Sequence, residues 1–162
     1  YGNFLVVIRA LAYILTLGRE GIPDVAKYAV LHANYMKAEL SRDYGMAFPG
    51  LCMHEFVMCL EELKKQTGVS ALDIAKGLLD DGIHPPTMYF PLIVPEALMV
   101  EPTETESKET MDEVIRVFRK LKERAVREPE AMHELPLTAA VRRLDEVTAA
   151  RHPKLKYEAE TE

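Results

Sequence analysis

The chain has 162 residues, 48% of them hydrophobic and 28% charged, enough for one domain around a single closed core. A formal net charge of −6 argues against nucleic acid as the main partner, because phosphate neutralisation needs a basic face. No apolar run approaches the ~20 residues of a membrane span, and the longest candidate, 4–17, is interrupted by Arg9.

Leu5, Ile8, Leu11, Ala12 and Leu15 recur at three- and four-residue intervals and predict a helix that stops at Gly18. The chain opens at Tyr1 inside this pattern, with neither a methionine nor a charged segment before it, which reads as a fragment rather than a secretory leader. Gly21 and Pro23 restart the chain. Val25, Ala26, Ala29, Ala33, Met36 and Leu40 then form the stripe of a long helix from 23 to about 43, with Asp24, Lys27, Lys37, Glu39 and Arg42 largely off it. Gly45, Pro49 and Gly50 break the pattern.

The mostly apolar segment 52–60 reads as a strand. Cys52 and Cys59 would lie about 23 Å apart on its opposite faces, too far to pair. Both are expected as free core thiols, which suits a reducing, cytoplasmic setting. Ser70 and Asp73 supply an N-cap and an acidic third position for a helix that Gly82 ends. Two proline-bounded apolar segments, 88–90 and 97–100, read as strands. Thr103 and Glu106 read as a capping box, with Glu104 beside the positive end of the dipole. The long helix that follows buries Met111, Val114, Ile115, Phe118, Leu121 and Ala125. Beyond Pro129 the periodicity fades into a polar tail, locally basic at Arg142, Arg143, Arg151, Lys154 and Lys156. The order predicts an α/β two-layer sandwich with helices on a small, mainly antiparallel sheet.

His84 stands in a loop beside two prolines that stiffen the backbone, a fit either for a residue at the mouth of an active site or for one satisfying turn carbonyls. Thr87 shares that reading. His54-Glu55 begins a zinc-protease motif, but Met58 stands where the second histidine is needed, so no metal site is expected. His54 reads instead as a satisfied strand histidine with an interface role. Glu101, between a strand and Pro102, is placed to line a cleft or anchor an arginine. Lys27, Lys37, Lys76 and Lys108 fall on helix faces beside other charges, the ordinary solvated position, and there is no glycine-rich phosphate loop.

Six strings carry a resemblance. They are Tyr-Gly-Asn-Phe at 1–4, His-Ala-Asn-Tyr-Met at 32–36, Met-His-Glu-Phe at 53–56, Ala-Leu-Asp-Ile-Ala-Lys at 71–76, the run 84–109 that contains Pro-Leu-Ile-Val-Pro-Glu-Ala-Leu-Met-Val-Glu-Pro-Thr-Glu-Thr-Glu, and Arg-Arg-Leu-Asp-Glu-Val at 142–147. In this order, over nearly the whole chain, they resemble the C-terminal part of the glycine cleavage system P-protein, glycine dehydrogenase (decarboxylating). The tail 142–157 is similar to the second subunit of the two-subunit form, with Ala139-Ala140 where a Thr-Pro pair is expected and Tyr157 in place of a tryptophan.

The resemblance implies the small C-terminal domain of a fold-type I pyridoxal-phosphate enzyme. Residues 1–21 would be the last helix of the large cofactor domain, 22–127 the small domain and 128–162 a tail. It implies glycine decarboxylation, with the cofactor as electron sink and the aminomethyl group passing to the lipoyl disulfide of the H-protein. The Schiff-base lysine is expected upstream of Tyr1. The fragment is therefore expected to be inactive by itself and to bind no cofactor alone. Its implied partners are the companion P-protein subunit, lipoylated H-protein and glycine, with no nucleic acid and no membrane. His84, Thr87, His54 and Glu101 are its candidate active-site wall. Two alternatives stay open: a free-standing interaction module, and an aminotransferase-like fold-type I enzyme. The second expects an arginine clamp for the substrate carboxylate, whereas helix solvation and capping account for Arg116 and Arg119.

Overall fold

The computed structural model describes residues 2–157, so Tyr1 of the first string and positions 158–162 of the tail lie outside the described residues. Asn3 caps the first helix by accepting from the Val6 amide. This helix, α1 (Phe4–Leu40), is broken where the sequence predicts a stop: Gly18 takes φ 65°, ψ −170°, a conformation open to glycine and strained for any side chain. The second half runs through Pro23 and ends at Leu40, short of the expected 43, in a turn over 41–43.

Four short strands form one antiparallel sheet in the order β1-β2-β4-β3: β1 (Gly45–Met46), β2 (Phe56–Cys59), β3 (Thr87–Met88) and β4 (Ala97–Val100). β4 has the predicted bounds. The expected strand at 88–90 is displaced to Thr87–Met88, because Tyr89 turns to φ 56° and leaves the extended region. The expected strand 52–60 shrinks to its last half. Cys52 lies in the preceding loop, where its amide and carbonyl bond the Asn34 side chain at 3.0 and 2.7 Å. The opposite-face argument thus loses its premise. Both cysteines are free and half-buried rather than core, and burial raises the Cys52 thiol above its ordinary pKa.

Between the strands lie α2 (Glu61–Thr67), which the sequence reading missed, and α3 (Ala71–Asp80). Only Leu63 of α2 is buried, so its seven residues show no helical period. α3 has the predicted capping box, Ser70 and Asp73 bonding each other's backbone. The capping box expected at Thr103 and Glu106 is not formed. The next helix, α4 (Lys108–Arg127), is capped by Ser107, whose hydroxyl accepts from the Thr110 amide at 3.1 Å. Residues 101–106 are instead a connecting loop.

The core joins Ala33, Met36 and Leu40 of α1, Met58 and Leu98 of the sheet, Ile74 and Leu78 of α3, and Phe118 and Leu121 of α4. Tyr44 lies edge-on to Phe118 at 5.9 Å and donates its hydroxyl to the Phe118 carbonyl at 2.7 Å. Burial raises the Tyr44 hydroxyl well above 10.0, so it remains a donor. The stretch after residue 127 is less polar than its sequence suggests. α5 (Pro129–His133) brings Met132 and the adjacent Leu135 fully into the core. Two α3 carboxylates hold the chain beyond. Asp73 binds Arg143 at 2.6 Å, and Asp80 accepts from the Leu137 and Thr138 amides. A short exposed helix, α6 (Glu146–Arg151), follows. Among the described residues no helix is long and apolar enough to cross a membrane.

Candidate functional site

Gly82, at φ +74°, turns the chain out of α3 and into Ile83-His84-Pro85-Pro86. Thr87 then pairs with Met99 in antiparallel register, so the residues before Thr87 run beside those after Met99. That register brings His84 and Thr87 against Glu101 and Thr103 around a cleft of about 540 Å³. The cleft's apolar floor is the core itself, through Met36, Leu78 and Phe118, and the start of α4 closes it with Thr110 and Met111.

Three of the four sequence candidates, His84, Thr87 and Glu101, line this cleft and are exposed at it. The fourth, His54, is absent from its wall and stands at the rim, with Nε2 3.9 Å from the Glu101 carboxylate and 4.0 Å from that of Glu55. His54 precedes β2 and is half-exposed, so it is not the strand histidine the sequence suggested. Thr103 and Glu106 also line the cleft. Their resemblance to a capping box masks this placement in the sequence. The Ser107-x-x-Thr110 spacing was the signal that would have moved the cap four residues on and left both in a loop.

The cations lie elsewhere. Among the described residues no lysine or arginine lines the cleft. Lys27 pairs with Asp24, and Lys108 pairs with Asp112 at 2.6 Å beneath the Tyr35 ring. The bond to Asp112 raises the Lys108 pKa and keeps it charged. Lys37 departs from the expected solvated position. It is 9% exposed and donates to the Phe48 and Gly50 carbonyls at 2.9 and 2.7 Å, a buried charge matched by backbone dipoles. Arg119 bridges Asp43 and Glu39. Arg116 pairs with Glu113. Among the described residues no cluster of three or more His, Cys, Asp or Glu side chains is arranged to hold a metal.

The fold belongs to a known class. In the crystal structure of glycine decarboxylase (P-protein) of the glycine cleavage system, in inhibitor-bound form, 24% of that chain superposes on 68% of this one at a TM-score of 0.57 and 20% identity. Sphingomonas wittichii serine palmitoyltransferase matches 70% of this chain, and 26% of its own, at a TM-score of 0.50 and 16% identity. At such identities the likeness concerns architecture alone: an α/β domain with helices on a small antiparallel sheet.

Residues 25–139 match the profile of the glycine dehydrogenase C-terminal domain, and the chain belongs to that family. The "Probable glycine dehydrogenase (decarboxylating) subunit 2" of Treponema denticola is 63% identical over 98% of the chain, which covers 33% of that relative. The proteins of the same name from Thermosipho melanesiensis and Thermotoga maritima are 54% and 48% identical, over 100% and 97% of the chain and 34% and 33% of their own lengths. The chain spans about a third of the length of these relatives.

Proposed function

We propose that this chain is the C-terminal domain of the decarboxylating subunit of a glycine cleavage system, where it closes one wall of the active site. The whole enzyme would decarboxylate glycine and pass the aminomethyl group to lipoylated H-protein, with a companion subunit completing the assembly. Residues 1–21 would be the last helix of the cofactor domain, 22–127 the small domain and 128–162 its tail. We place the protein in the cytoplasm, a setting in which its two unpaired thiols stay reduced. The observation that carries the reading is the 63% identity to a relative named as such a subunit, held over 98% of this chain.

Pyridoxal phosphate is the cofactor the family implies, and it supplies an electron sink for the carbanion left by decarboxylation. The cleft residues do not fit it by themselves. With no lysine to form a Schiff base and no lysine or arginine to meet a phosphate among the described lining residues, and with two carboxylates, Glu101 and Glu106, on the lining, this wall needs the cofactor brought against it by other parts of the protein. His84, Thr87 and Glu101 would then face glycine and the cofactor, with His54 bearing on Glu101 from the rim.

Two substitutions in the complete subunit, assembled with its companion, test the wall. His84→Ala and Glu101→Gln should each lower H-protein-dependent exchange between the glycine carboxyl and bicarbonate by about tenfold or more, with thermal unfolding unchanged. Wild-type exchange in both would remove the assignment. A separate measurement concerns the chain alone. Incubation with pyridoxal phosphate and borohydride should leave no stoichiometric lysine adduct, and such an adduct would show that the cofactor's anchor lies within these residues.

A further inference from the structure

His32 lies on α1 and is 9% exposed, and no part of it is needed to line the cleft. Its Nδ1 is 2.9 Å from the Thr103 carbonyl. A carbonyl oxygen can only accept, so Nδ1 carries the proton and donates. The Tyr28 ring lies beside the imidazole, centroids 5.9 Å apart and tilted by 44°. The loop this bond meets, 101–106, contributes Glu101, Thr103 and Glu106 to the cleft. Its other side-chain ties to the rest of the molecule are longer: Tyr13 to Glu104 at 3.5 Å, and His54 to Glu101 at 3.9 Å. The neighbouring polar residues of α1 act alike on a different loop. Asn34 binds both backbone groups of Cys52, and Lys37 the Phe48 and Gly50 carbonyls. Three polar side chains of this stretch of α1, His32, Asn34 and Lys37, thus bind the backbone of the loops beside it, while Tyr35 bonds Asp112 of α4.

We propose that His32 is a positioning residue for the cleft: through the Thr103 carbonyl it holds the 101–106 wall against α1 and so sets the position of Glu101 and Thr103 opposite His84. The proposal rests on the reading of this cleft as an active-site wall. The bond is made by a nitrogen attached to Cγ, which the side-chain amide of asparagine reproduces and alanine does not. His32→Asn is therefore the conservative variant.

Hydrogen exchange read by mass spectrometry on the 162-residue chain should show amides of 101–107 exchanging about fivefold faster in His32→Ala and near the wild-type rate in His32→Asn. Asn34→Ala should instead accelerate the amides around Cys52 and leave 101–107 unchanged. In the complete assembled subunit, His32→Ala should lower the glycine–bicarbonate exchange kcat about tenfold, the scale on which small displacements of a site wall act, and His32→Asn should recover most of it. Unchanged exchange of 101–107 in His32→Ala, or a His32→Asn variant as impaired as His32→Ala, overturns the proposal. So does a fully active His32→Ala enzyme alongside an impaired His84→Ala one. Full activity in both would instead overturn the functional reading beneath it, while the loop exchange would still report on the bond.

Discussion

Asp73 and Arg143, seventy positions apart, fasten the C-terminal arm to α3, and their removal has a calculable cost. The Asp73 carboxylate, in a residue 2% exposed, accepts from the Ser70 amide at 2.8 Å, the Ser70 hydroxyl at 2.7 Å and Arg143 Nη2 at 2.6 Å, with His133 Nδ1 at 3.2 Å. Arg143 also donates to the Leu135 and Met132 carbonyls. Breaking a fully buried pair costs roughly 3–5 kcal/mol. The Arg143 side chain is 33% exposed and Asp73 keeps its other donors, so Arg143→Ala should cost about 2 kcal/mol. Asp73→Ala also loses the capping box and should cost about 3 kcal/mol. The double variant should cost about 3.5 kcal/mol, leaving a coupling of about 1.5 kcal/mol.

The sign of the pH dependence follows from the same contacts. Burial by itself raises the Asp73 pKa, but the bonds from Ser70, Arg143 and His133 outweigh it and hold the carboxyl below its ordinary 3.8. A depressed folded pKa means the stabilisation is complete above 3.8 and is lost as pH falls through the folded value. Urea unfolding followed by circular dichroism, at pH 7 and then in steps below pH 5, measures both effects. The stability gap between wild type and Asp73→Asn should close only below about pH 4. A coupling under about 0.5 kcal/mol, or a gap that does not change with pH, would refute the reasoning.

Two further outcomes are expected. A Cβ at Gly77 would stand 2.6 Å from Leu121 Cδ2 and 3.2 Å from Leu135 Cδ1, so Gly77→Ala should overpack the α3–α4 contact and lower the urea-derived stability by about 1–3 kcal/mol despite its better helix propensity. A gain in stability would contradict it. Asp80→Ala removes the acceptor for the Leu137 and Thr138 amides and the Thr138 hydroxyl, and limited proteolysis should then cut within 137–145 several-fold faster, with roughly unchanged cleavage elsewhere.

The elements legible in the sequence are those whose signal is local. The break at Gly18 needs only a glycine where φ turns positive. The Ser70–Asp73 box is closed by residues three apart. β4 is bounded by its prolines, and the stripe of α4 buries Met111, Ile115, Phe118, Leu121 and Ala125, whereas of the α1 pattern Ala33, Met36 and Leu40 are buried and Leu5, Ile8, Leu11 and Leu15 stay exposed. Where two local cap signals compete, tertiary contacts decide between them. Thr103-x-x-Glu106 looked as good a box as Ser70-x-x-Asp73, yet the contact to His32 keeps residues 101–106 in a loop and Ser107 takes the cap. The apolar run 52–60 reads as one strand because hydrophobicity does not report that Asn34 binds both backbone groups of Cys52 outside the sheet. His84, Thr87 and Glu101 stand out by their loop positions and by the resemblance, and the structure brings all three to one cleft. His54 reaches it only through Glu101.

By itself, then, the sequence determined the family, the helix-and-strand order over most of the chain, and the core face of α4 and of the end of α1, because periodicity, caps and turn residues act within a few positions. Only the tertiary structure decided that the Thr87–Met99 register makes a cleft, that Lys37 is buried against carbonyls rather than solvated, that Met132 and Leu135 belong to the core, and that Arg143 closes on Asp73. The Lys37–Phe48 bond joins groups 11 positions apart and the Asp73–Arg143 pair groups 70 apart, and the core gathers residues from Ala33 to Leu135. A pairing at such separations depends on how packed elements meet in space, and no short window of residues encodes it.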